Sequence, residues 1–185
     1  RQLSATVESQ NARAQGLQMS LFERLFDDYP ITGKVTLEEQ YRMVPNICCF
    51  VSDRFYQGVL RSGVAPRPSP LKDVEGNLLF VHVPDTERTS SQGKYYNDAE
   101  INVIFDMIGK LLEENKVTLA DIGVICMYSE QVKRLLAKKP HSLPFLNVST
   151  VDGFQGAENE VILLTLVRSN QAGACGFSTD PRRVN

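Results

Sequence analysis

The chain of 185 residues contains no tryptophan and only two histidines, His82 and His141. No His-Glu-x-x-His pair, no nucleophile elbow and no Ser/His/Asp set can be assembled from them. His82 lies in an apolar run and reads as structural, while His141 lies between prolines and reads as exposed. The four cysteines (Cys48, Cys49, Cys126, Cys175) form no Cys-x-x-Cys pair, which argues against a zinc site or a disulfide framework and fits a reducing compartment. No run of about 18 apolar residues is present, so no membrane-spanning helix is expected, and the polar opening carries no leader-peptide pattern. There is no Gly-x-x-x-x-Gly-Lys-Ser/Thr and no Gly-x-Gly-x-x-Gly, so these residues do not by themselves cradle a nucleoside triphosphate in the common way. The net charge of −2 provides no general attraction to nucleic acid, and any such binding must come from a local face.

What is present is a strand and helix alternation. Ser20-Leu-Phe-Glu23 has the form of a capping box, and Leu21, Leu25, Phe22 and Phe26 give the short helix after it an apolar face. A strand is expected at Lys34–Leu37. A helix opens at Pro45, with Ile47, Phe50, Val51 and Phe55 on one face. Residues 58–77 hold Pro66, Pro68, Pro70 and three glycines and read as a surface excursion. Leu78–Val83 reads as an apolar strand and 84–97 as a polar loop. Asn97, with Glu100 three residues on, caps a helix carrying Ile101, Ile104, Phe105, Ile108, Leu111 and Leu112 on one face, ended by Asn115. Ile122–Met127 is a buried strand. Tyr128-Ser-Glu-Gln131 begins another helix, with Val132, Leu135 and Leu136 inward, broken by Pro140.

Residues 148–167 stand out. Ser149 and Thr150 end one apolar strand, and a turn rich in polar residues and glycine (Asp152, Gly153, Gln155, Gly156, Glu158) follows. Glu160–Val167 then holds six apolar side chains, the pattern of a strand buried on both faces. The order of elements implies an α/β domain with a mostly parallel sheet and helices on both faces. Ligands in such folds bind at the carboxyl ends of the strands.

Five segments stand in a telling order: Arg1–Val7, Ser20–Leu25, Gln40-Tyr-Arg-Met43, Val151-Asp-Gly-Phe-Gln-Gly-Ala-Glu158 and Asp180-Pro-Arg-Arg-Val-Asn185. Together they resemble superfamily 1 helicases, in the branch containing the RNA helicase of nonsense-mediated decay. The resemblance spans essentially the whole chain. It implies that residues 1–185 are a second RecA-like helicase domain of P-loop NTPase-type fold, interrupted within the last helicase motif. The first RecA-like domain, with its phosphate loop and the acidic pair that holds Mg²⁺, is expected before Arg1.

The resemblance also implies roles. Gln2 matches a residue that senses the terminal phosphate of ATP, Tyr41 an aromatic beside the base, and Arg42 an arginine that reaches the γ-phosphate. Gly156 and Glu158 match positions that approach the ribose and phosphates, with Asp152 and Gln155 shaping the turn. Thr150 matches a hydroxyl residue on the strand's phosphates. Tyr128, Ser129 and Gln131 match a segment that also touches the backbone of single-stranded RNA or DNA. Relatives often carry Thr-Pro before that tyrosine, where this chain has Cys126-Met127. Arg182 and Arg183 open the last motif and receive no catalytic role. Lys133, Arg134, Lys138 and Lys139 read as a solvated helix face, with a lining for the strand's path as the alternative.

The expected activity is ATP-dependent helicase action by a complete protein, inside the cell in the cytoplasm or nucleus, with no membrane partner and no metal bound by these residues. The chain alone is expected to be inactive. An inactive helicase-like scaffold that binds nucleic acid or protein is the alternative, and a flavodoxin-like small-molecule binder would require the motif order to be chance. The choice of RNA or DNA and the direction of movement are left open.

Overall fold

The computed structural model describes residues 7, 9–29, 33–72, 74–114 and 116–179. The expectations for Gln2, Pro30, Asn115, Arg182 and Arg183 lie outside them. The described residues divide into two compact units, one reaching to Pro66 and one covering Arg67–Thr179.

The first unit carries α1 (Gln10–Ala14), α2 (Leu21–Asp28), β1 (Glu39–Gln40), α3 (Pro45–Phe55) and β2 (Arg61–Ser62). Ser20 caps α2 by accepting from the Glu23 N–H at 3.0 Å. The expected apolar face of α2 forms, but it is exposed, with Phe22 and Leu21 both largely open to solvent. Lys34–Leu37 is not a strand: Val35 and Leu37 are exposed. The ladder forms instead two residues after Leu37, where Glu39 and Gln40 pair in parallel with Arg61 and Ser62. Pro45 opens α3, as its missing N–H allows. Cys48 and Ser52 turn inward there, whereas Phe50, expected on the inner face, is exposed.

The second unit is built on β5 (Ile122–Cys126), β6 (Asn147–Thr150) and β7 (Val161–Thr165), in the order β6-β5-β7 and all parallel. An antiparallel pair, β3 (Arg88–Thr89) and β4 (Tyr95–Tyr96), precedes α4 (Asp98–Glu113), and α5 (Ser129–Lys138) follows β5. This is the α/β arrangement of parallel strands and flanking helices expected from the alternation, and it is consistent with the RecA-like fold that the resemblance implies.

The register places Ile122, Val124 and Cys126 beside Val161, Leu163 and Thr165 on one sheet face. Ile101, Ile104, Ile108 and Leu111 of α4 and Leu135 of α5 join Ile122, Val124 and Cys126 in a single core. Asn97 caps α4 by accepting from the N–H groups of Ala99 and Glu100 at 3.1 and 3.2 Å. Burial of these side chains, each contributing roughly 1.5–3 kcal/mol of transfer free energy, outweighs the modest helix propensity of α4's isoleucines.

Two strand expectations are corrected here. Leu78–Val83 joins no ladder, and Leu78 and Phe80 are exposed. β7 is not buried on both faces: Ile162 and Leu164 point to the uncovered side and are 41% and 56% exposed. Leu136 of α5 is also exposed. Apolar content expresses a tendency to extend, but an edge or a covering layer must be supplied by the rest of the fold. Among the described residues no helix is long and apolar enough to cross a membrane.

Candidate nucleotide and nucleic-acid site

In the first unit the Gln40–Met43 turn is organised by one side chain. The Gln40 Oε1 accepts from the N–H groups of Arg42 (2.8 Å) and Met43 (2.6 Å), while its Nε2 donates to the Met43 carbonyl at 2.7 Å. The Ser62 hydroxyl donates to the same carbonyl at 2.8 Å. The turn thereby presents Tyr41, 71% exposed, and an exposed Arg42. Any β-carbon at Gly63 would collide with the Tyr41 ring, so glycine lets that ring lie against the backbone just after β2. A hydrogen bond to Glu39, and then its charge, raise the Tyr41 phenol above its ordinary value. The Gln40-Tyr-Arg-Met43 motif by itself assigns Gln40 no role. Its position two residues before the arginine, with both a donor and an acceptor, is the signal that could have found it.

In the second unit the strand ends form a common edge. Thr150 ends β6, and its hydroxyl accepts from the Gly153 N–H at 3.1 Å while its carbonyl accepts from the Phe154 N–H at 2.9 Å. Phe154 is buried and anchors the turn, leaving Asp152, Gln155, Gly156 and Glu158 at the surface. Gly156 has φ +84°, a conformation L side chains resist, and a β-carbon there would meet nothing within 4 Å. That openness lets a ligand approach the backbone closely. Among the described residues no group of three His, Cys, Asp or Glu could hold a metal ion.

Tyr128 and Ser129 follow β5. Ser129 is exposed, but Tyr128 is buried, with its ring edge-on to Tyr95 at 5.8 Å and its hydroxyl accepting from Arg168 at 3.5 Å. Gln131 is wholly buried. Its Oε1 accepts from the Asn97 N–H (2.8 Å), and its Nε2 donates to the Asn97 carbonyl (3.0 Å) and the Thr165 hydroxyl (3.2 Å). The structure thus brings Ser129 and Thr150 to the edge of the sheet and keeps Gln131 inside. At the position where relatives often have Thr-Pro, Cys126 is a core thiol, pushed up to about 12 by burial and by the Glu100 carboxylate. On α5, Arg134 and Lys138 are engaged by Asp98, at 3.9 and 2.7 Å. Lys139 donates to the Pro144 carbonyl at 2.7 Å. A solvated, internally paired face describes these cations.

Glu87 and Arg168 were not anticipated. Glu87 accepts from Arg168 Nε (2.9 Å), the Ser169 N–H (2.8 Å) and Asn170 Nδ2 (2.9 Å), and Arg168 stacks over Tyr95 at 4.1 Å. Burial pushes the Glu87 carboxyl up, but bonds from Arg168, Asn170 and Ser169 outweigh it and hold the group below its ordinary value near 4.5. Its folded value is therefore below its unfolded one. The stabilisation is complete above the unfolded value and is lost as pH falls through the folded value. Urea unfolding between pH 6 and pH 3 is expected to show this loss, and Glu87→Gln is expected to flatten that acid limb. Identical slopes for the two proteins would remove Glu87 from the acid response.

The family described as AAA domain (AAA_12) matches residues 17–185. The chain belongs to that family. It is 35% identical over its full length to mouse DNA-binding protein SMUBP-2, covering 20% of that protein. It is 35% identical over its full length to the regulator of nonsense transcripts 1 homolog of Neurospora crassa, covering 18% of it. To mouse 5'-3' DNA helicase ZGRF1 it is 34% identical, again over its full length, covering 10%. The chain thus spans a fifth or less of the length of these curated relatives.

Proposed function

We propose that residues 1–185 are the second RecA-like domain of an ATP-dependent superfamily 1 helicase, which completes an ATP site and grips single-stranded RNA or DNA. The observation that carries this reading is the shared carboxyl edge of β5, β6 and β7. There Cys126, three residues before Ser129, is level with Thr150 on one side and with Thr165, where the turn after β7 begins, on the other. Hydroxyls and backbone N–H groups at such an edge suit phosphates, so little base preference is expected.

ATP supplies the anhydride whose hydrolysis drives opening and closing of the domains. Arg42 would offset charge spread over the transferring phosphoryl oxygens, with Gln2 sensing the terminal phosphate. Tyr41 would flank the base, Gly156 would admit the ligand to the backbone, and Glu158 would accept from a ribose hydroxyl. Mg²⁺ falls to the first RecA-like domain in this scheme. Movement of the two domains on nucleotide turnover would shift their strand-binding surfaces relative to each other. The relative named ZGRF1 is a 5'-3' DNA helicase and SMUBP-2 a DNA-binding protein, so DNA stands beside RNA as the strand.

The test is ATP hydrolysis by the parent protein with single-stranded RNA and DNA of mixed and homopolymeric sequence, at several salt concentrations. Stimulation by a strand is expected, with little base preference. The affinity should fall with salt at a log–log slope of about −0.7 per phosphate contact. Strand binding without hydrolysis would support the scaffold reading instead. A strong sequence preference would point to base readout by another loop.

A further inference from the structure

We propose that Glu87 and Glu100 form a two-carboxylate clamp that positions the turn Thr165–Asn170 at the strand-binding edge, a role for the polar loop 84–97 and the first turn of α4. The inference rests on the proposed strand grip and specifies what sets its geometry.

The turn leaves β7 through an unusual conformation. Val167 has φ +69°, a left-handed value that a β-branched residue resists, and it is wholly buried against Met127 and Tyr128. Such a conformation is strained and persists only where surrounding groups enforce it. Glu100, in the first turn of α4, supplies one constraint. Its carboxylate accepts from the Thr165 hydroxyl and from the Val167 N–H, the latter at 3.1 Å. Glu87 supplies the other through Arg168, Ser169 and Asn170. Asn170 then closes the loop, donating to and accepting from Ala174 at 2.9 Å each.

Five groups in six consecutive residues are thus held by two carboxylates from one earlier segment. Arg168, held this way, lies over Tyr95 and against the Tyr128 hydroxyl, immediately before Ser129. Glu87 and Glu100 touch neither strand nor nucleotide in this scheme. They are positioning residues, and what they position is the end of β7 relative to the end of β5.

The experiment compares Glu87→Gln, Glu100→Gln, Val167→Gly and the double variant E100Q/V167G in the parent protein. The readouts are strand-dependent ATPase, resolved into the strand concentration for half-stimulation and the maximal rate, and thermal unfolding to set a common temperature below every transition. Each Gln variant is expected to raise the half-stimulating strand concentration about tenfold, with the maximal rate within about twofold. Glycine adopts φ +69° freely, so in the V167G background E100Q should raise it only about twofold, although V167G itself empties buried space and lowers the Tm.

Half-stimulation within about twofold of wild type in both Gln variants would overturn the clamp. So would strict additivity of E100Q and V167G, because packing alone gives no reason for rescue. A wild-type protein that binds no strand would refute the proposed function itself, and with it the purpose of the clamp. That outcome is distinguished by direct titration of the wild-type protein into a labelled single-stranded oligonucleotide, read by fluorescence anisotropy.

Discussion

Arg42→Ala in the parent protein is expected to lower the maximal rate of strand-stimulated ATP hydrolysis about 10³-fold or more, while strand affinity changes less than about threefold. The size follows from the task. A guanidinium is planar and permanently charged, and it offsets phosphoryl charge most where that charge develops, in the transition state. The separation of the two effects follows from the turn. Gln40 holds residue 42 by its backbone N–H, at 2.8 Å, and holds Met43 by both N–H and carbonyl. None of these bonds uses the arginine side chain, so alanine leaves the turn assembled. Arg42→Lys is expected to recover only part of the rate, since an ammonium supplies charge without the fork. A near-normal maximal rate in R42A would take Arg42 out of the mechanism. A matching loss of strand affinity would mean that the turn had collapsed.

How far the sequence reveals this molecule depends on whether a contact has a local signature. The helix after Asn97 was legible because its cap and its apolar period are both local, and the structure bears out each. The strands at 122–126, 147–150 and 161–165 were legible from short apolar runs bounded by polar turns. Leu78–Val83 has the same apolar character but no ladder, because composition does not say which edge will receive a strand. The Glu87 and Arg168 pair joins residues 81 apart in sequence and leaves no periodic trace. Gly156, Thr150 and Tyr41 could be singled out because a motif carried them. The surface placement of Gly156 and Tyr41 follows from a buried Phe154 and a hydrogen-bonding Gln40, whose parts only the fold displays.

Gln131→Ala is expected to lower the unfolding free energy of the domain by about 3 kcal/mol and its Tm by about 6–12 °C. The family resemblance would place this side chain on the strand. In the structure its amide ties the start of α4 to the start of α5 and the end of β7, through the Asn97 N–H, the Asn97 carbonyl and the Thr165 hydroxyl. Alanine leaves those partners buried without this amide, and each lost partner costs about 1–3 kcal/mol, offset where Thr165 keeps its bond to Glu100. Gln131→Glu should not rescue the loss. A carboxylate keeps the acceptor for the Asn97 N–H but gives up both donors, and it brings a negative charge toward the Glu100 carboxylate through their shared partner Thr165. Strand affinity measured well below the transition separates the two placements. A stable Q131A protein with weakened strand binding would put the amide on the nucleic acid. A destabilised protein whose remaining folded molecules bind normally would make Gln131 the internal support on which the neighbouring Ser129 and Thr150 edge is held.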